Sequence, residues 1–126
     1  MSVSCGDTFL LPPTASSDPH LWIVLTDPEG NPTPQVVMVN LTSMRPGADT
    51  TVVLDRGDHS FIRHETVVYY GDARFADPGA LEKGVGAGMA TRHDPLNDDL
   101  LKRVQDGLLE SNETPIRIKR YCHKRF

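Results

Sequence analysis

The sequence predicts a small, mainly β protein with one C-terminal helix, an α+β fold of the barrel type. Three observations point there. Short runs rich in β-branched and aromatic residues recur over residues 8–76, each ended by Pro, Gly, Asp or Ser. One late stretch repeats its apolar residues on the 3.6-residue period of a helix. The chain has 126 residues, 38% of them apolar, enough for one hydrophobic core and one domain.

Thr8–Leu11 reads as the first strand, stopped by Pro12-Pro13 because proline lacks the donor a central ladder needs. Residues 12–19 are then a loop. His20–Thr26 is too short for a helix and apolar through its middle, so it reads as a strand buried on both faces. A hairpin-like loop containing Glu29-Gly30-Asn31 joins it to Gln35–Leu41. Thr50–Leu54 follows the turn at Arg45–Asp49. Glu65–Tyr70 is a fourth strand, continued by Ala73–Ala76 past an expected bulge at Gly71.

Beyond residue 78 the character changes. Gly84, Gly86 and Gly88 make residues 79–89 a poor helix and an expected loop. A helix is expected over about 97–110, with Asn97 as its cap and Asp98 and Asp99 complementing the dipole of the first turn. Leu100, Leu101, Val104, Leu108 and Leu109 form its apolar stripe, and Gly107 weakens it. Ile116–Tyr121 alternates with period two. Residues 1–113 therefore read as one barrel domain, and 114–126 as a basic C-terminal strand or arm.

No apolar run approaches the ~20 residues of a membrane-spanning helix. The start Met1-Ser2-Val3-Ser4-Cys5 shows no secretory pattern, and Cys5 and Cys122 lack metal-type spacing. A cytoplasmic location with reduced thiols is expected. The net charge of −4 hides an asymmetry. Residues 114–126 hold five of the 13 Lys and Arg and no acid, so the first 113 residues set eight bases against 17 acids, a balance of −9. A polyanion is attracted by the tail and repelled by the body, unless the body's bases gather on one face.

The strand pattern resembles the PemK/MazF family, SH3-like barrel toxins that cleave RNA. Gly6-Asp7-Thr8 matches the family's opening Gly-Asp strand, and Val37–Ser43 a strand ending in Thr-Ser or Thr-Thr. The segment Phe61–Asp77 is similar to the family's Leu-Lys/Arg-x-x-Ser/Thr/Gly-Val-Val-x-x-Asp-Gln-x-Arg-Thr-x-Asp. The likeness covers about residues 6–110. It implies an SH3-like barrel, a toxin-type endoribonuclease needing no metal or cofactor, RNA as substrate, a homodimer and an antitoxin protein as partner. Thr42-Ser43, Arg63 and Arg74 are its direct matches. The departures are His20 where the family has an arginine, and Tyr69 and Gly71 where one branch has a catalytic arginine and aspartate.

RNA cleavage through the 2′-hydroxyl needs a base, an acid and donors for the phosphorane charge, and imidazole suits both proton roles. His20 and His64 are expected as the base–acid pair, with Arg63 neutralising charge and Thr42 and Ser43 bonding phosphate oxygens. His59, Arg74 and the tail residues Arg117, Lys119 and Arg120 are expected to contact RNA. Of Tyr69 and Tyr70, which must face opposite ways, one is expected in the core, and Tyr69 is the one assigned to stack on a base. Trp22 is expected in the core.

Other chemistries fit less well. Gly84-Val85-Gly86-Ala87-Gly88 lacks the lysine of a phosphate-binding loop, and Ser43, His64 and Asp72 lack the pattern around a hydrolase nucleophile. The alternative to an enzyme is a non-catalytic SH3-like barrel that acts as a protein-binding or assembly module.

Overall fold

The computed structural model describes residues 2–12 and 19–126, so most of the loop expected over 12–19 lies outside the described residues. The elements in chain order are β1 (Thr8–Leu11), β2 (His20–Val24), β3 (Val36–Ser43), β4 (Val53–Leu54), β5 (Thr66–Ala76), α1 (Pro78–Gly86), β6 (Thr91–His93), α2 (Asp98–Glu110) and α3 (Ile116–His123). One six-stranded antiparallel sheet, ordered β4-β5-β3-β2-β1-β6, curls into an open half-barrel. Among the described residues no helix is long and apolar enough to cross a membrane.

The strand alternation divides the sheet into two faces. One face presents Leu21, Ile23, Val37, Val39, Val68 and Tyr70 to α2 and α3, and the main core forms there with Leu100, Val104, Leu108, Ile118 and Cys122. On the other face, α1 covers only one end, where Leu81 packs with Phe9, Val24 and Val36. The rest of that face carries Trp22 and Asn40, which are buried, the half-buried Thr42 and the exposed Tyr69. Strand β2, apolar at consecutive positions, is buried on both faces as expected.

Gly107 has a definite use in α2. The buried Tyr70 hydroxyl donates to the Val104 carbonyl at 2.8 Å, and a Cβ at position 107 would overlap that hydroxyl and crowd Val52. Glycine costs helix propensity, yet it lets the strand's tyrosine reach the helix backbone. Opposite Val39, β5 runs from Tyr69 to Arg74 while β3 advances only from Asn40 to Met38. The extra length forms a bulge around Gly71, as expected.

Several expectations are corrected. The strand expected over Thr50–Leu54 is reduced to Val53–Leu54. The glycine-rich segment starts as a helix, because Asp77 accepts the Gly79 amide hydrogen bond at 2.8 Å and Pro78 opens the first turn. The short β6 was not anticipated, since three residues are too few to show a period. The C-terminal segment is neither strand nor arm. It is α3, because Ile118, Tyr121 and Cys122 recur at helical spacing and pack on the body, whereas Ile116, half of the apparent alternation, is 62% exposed. Tyr121 meets Phe75 of β5 edge-to-face at 5.0 Å, and Arg125 pairs with Glu29.

Candidate active site

The turn before β5 is pinned by its own side chains. Asp58 accepts the Asp55 amide hydrogen bond at 2.8 Å, and Gly57 supplies the left-handed backbone (φ 102°) between them. His59 Nε2 donates to the Asp94 carbonyl at 2.6 Å, while Nδ1 accepts from the Phe61 amide at 3.0 Å. The Ser60 hydroxyl donates to the Asp94 carboxylate at 2.7 Å, and Ile62 is buried. These bonds dock the turn against the end of β6. His59, expected to contact RNA, is 8% exposed here, with both ring nitrogens engaged within the protein.

Docking the turn on β6 joins two imidazoles. His64 and His93 line one open cleft of about 410 Å³ with Ser60, Phe61 and Arg63. Phe61 packs edge-on against the His93 ring, centroids 5.5 Å apart, which sets the orientation of that imidazole. The Ser43 hydroxyl lies 2.8 Å from His64 Nε2, and the Arg63 carbonyl is held by the Arg56 guanidinium at 3.3 Å. Arg63 itself is exposed beside the two rings.

His20 lies elsewhere. By the β2–β3 register it stands opposite Thr42, on the face that Ser43 turns away from. Its Nδ1 must donate to the Leu41 carbonyl at 3.0 Å, since a carbonyl only accepts. His20 and His64 therefore lie on opposite faces, and the imidazole that shares the His64 cleft is that of His93. The sequence concealed His93 because Asp94-Pro95 reads as punctuation before a helix.

Thr42 and Tyr69 face a second, smaller cleft of about 140 Å³, whose lining includes Arg45, Val67, Asp49 and Glu113. Tyr69 is 39% exposed whereas its neighbour Tyr70 is fully buried, as the alternation requires, and Trp22, on the Tyr69 face, is 8% exposed. Arg74 lies over the Trp22 ring at 4.8 Å and pairs with Asp72, which also accepts from Asn40 Nδ2 at 2.6 Å. Of the tail cations, Lys119 donates to the Ser111 carbonyl at 2.7 Å and Arg117 lies over Phe75. Arg120 is exposed.

Burial pushes both thiols up to about 11, with Asp27 and Asp7 adding to the effect at Cys5. Neither cysteine supplies a thiolate nucleophile near neutrality. Among the described residues no three His, Cys, Asp or Glu side chains gather as a metal site. No protein-family model, curated protein or solved structure matches this chain.

Proposed function

We propose that this protein is an endoribonuclease that cleaves RNA by general acid–base catalysis without a metal. The observation that carries the proposal is the meeting of His64, His93 and Arg63 in one open cleft. One imidazole takes the proton from the 2′-hydroxyl as its oxygen bonds to phosphorus. The other gives a proton to the departing 5′-oxygen, leaving a 2′,3′-cyclic phosphate and a free 5′-hydroxyl. Arg63 offsets the charge that develops on the phosphorane oxygens, and the Ser60 and Ser43 hydroxyls orient the site.

The resemblance to the PemK/MazF barrels, with Thr42-Ser43, Arg63 and Arg74 at matching positions, supports the same reading. It extends the proposal to a cytoplasmic toxin that forms a homodimer and is restrained by an antitoxin protein. The test is incubation of purified protein with single-stranded RNA in EDTA, with the fragment ends analysed. Cyclic phosphate ends that vanish in both His64→Ala and His93→Ala support the proposal. RNA left intact overturns it in favour of the non-catalytic module, which the −9 balance of residues 1–113 favours.

A further inference from the structure

We infer that the open cleft between Arg56 and Arg63 seats a second phosphate of the RNA chain, next to the one at the two imidazoles. The inference rests on the ribonuclease reading and names its substrate more closely: a strand that runs on past the reacting bond.

The first support is position. A cleft of about 570 Å³ is lined by Arg56, Gly57, His59, Ser60, Ile62 and Arg63. Ser60 and Arg63 also line the cleft that holds His64 and His93, so the two clefts adjoin across a shared wall. A strand with one phosphodiester at the imidazoles has its neighbouring phosphate beside the Arg56 cleft.

The second is charge. The acidic balance of residues 1–113 repels a polyanion except where unpaired cations gather. Elsewhere on the body Arg74 pairs with Asp72, Arg92 with Asp7 and Lys102 with Asp106. Arg56 and Arg63 pair with no carboxylate among the described residues, and no Asp or Glu lines either cleft. The carboxylates nearest in the turn are engaged. Asp55 and Asp58 accept backbone amides of the turn, and Asp94 accepts the Ser60 hydroxyl.

The third is preorganisation. Arg56 Nε and Nη2 donate to the Arg63 carbonyl at 3.4 and 3.3 Å. These bonds hold one edge of the planar guanidinium and leave the N–H groups of Nη1 for an anion. A side chain already held loses less freedom when it binds. Gly57 and Ser60 add backbone N–H groups that meet no acceptor among the described residues. A guanidinium and backbone amides in one cleft are the donors that phosphate oxygens accept.

The experiment is fluorescence anisotropy of the wild type with a short labelled oligomer of 2′-O-methyluridine, measured across a salt series. The blocked 2′-oxygen prevents cleavage. Arg56→Gln is expected to weaken binding about tenfold at low salt. It is also expected to make log affinity fall less steeply with log salt, by about 0.7, the share of one phosphate on a single strand. Arg56→Lys, which keeps the charge, restores the slope. Replacing one internal phosphodiester at a time by an uncharged methylphosphonate is expected to reveal a linkage that costs the wild type affinity and Arg56→Gln none. An unchanged slope in Arg56→Gln, or one that Arg56→Lys does not restore, overturns the subsite. Binding that depends on a terminal phosphate overturns it too, because the cleft then holds a chain end. The two proposals fail separately. Arg56-dependent binding without cleavage of RNA by the wild type sinks the ribonuclease and keeps the phosphate subsite, whereas cleavage with Arg56-independent binding sinks the subsite alone.

Discussion

Ser43 Oγ and His64 Nε2 stand 2.8 Å apart where β3 ends, and this contact fixes one imidazole of the two-histidine cleft. Ser43 acts through His64, so it is a positioning residue. Ser43→Ala is expected to lower kcat by about 2–10-fold with little change in KM, the scale of one hydrogen bond. His64→Ala is expected to cost about 10²–10⁴-fold. Steady-state kinetics on a short fluorogenic RNA separates these cases. Ser43→Thr, which keeps the hydroxyl, restores most of the loss, and a failure of that rescue removes the positioning role.

The Tyr70–Gly107 contact predicts a stability pattern at the sheet–helix junction. Gly107→Ala, normally favourable in a helix, is expected to destabilise the fold by about 1–3 kcal/mol because the methyl has no room. Tyr70→Phe is expected to cost about 1 kcal/mol through the lost hydrogen bond to Val104. Urea unfolding monitored by the fluorescence of Trp22 measures both. A stabilising Gly107→Ala contradicts the packing described.

The strands were legible wherever burial was continuous. His20–Val24 and Val36–Ser43 announce themselves because both their faces are covered, and α2 because Leu100, Val104 and Leu108 keep helical spacing beside an Asn97 cap that accepts from Leu100 at 2.8 Å. The error at the C-terminal segment has a local cause. Ile116 and Ile118 imitate a strand over two residues, and only tertiary packing of Ile118 and Cys122 reveals the helix. The site was half legible. His64, Arg63, Thr42 and Tyr69 carried a signal in composition and motif. His93 reaches the cleft through a chain crossing that no local pattern records.

The thiols predict a chemical and a pH response. Both are raised by burial from the ordinary 9.0 to about 11. A folded value above the unfolded one means that the protonated thiols contribute stability fully below pH 9.0, and the contribution is lost as pH rises toward about 11. Iodoacetamide at pH 8 is expected to label Cys5 and Cys122 slowly in the native protein and rapidly in urea. Fast native labelling of Cys122 contradicts its burial.

Glu29 and Arg125 tie the chain end to the loop between β2 and β3, through bonds of 2.6 and 2.9 Å. The hydrogen bond from Arg125 holds the Glu29 carboxyl below its usual 4.5. With the folded value lowered, the contact is present above that pH and lost as pH falls through the lowered value. An NMR titration is expected to show the Glu29 carboxyl moving back up in Arg125→Gln. An unchanged titration means that the tie does not form in solution.

The central claim is that His64 and His93 share the proton transfers at one phosphodiester. It is tested most directly by single-turnover cleavage of a labelled single-stranded RNA in EDTA, followed across pH for the wild type, His64→Ala and His93→Ala. The account predicts cyclic phosphate products and a bell-shaped rate profile, with each substitution costing at least about 100-fold and removing one limb of the bell. Cleavage that persists in His93→Ala, yet disappears in His20→Ala, contradicts it.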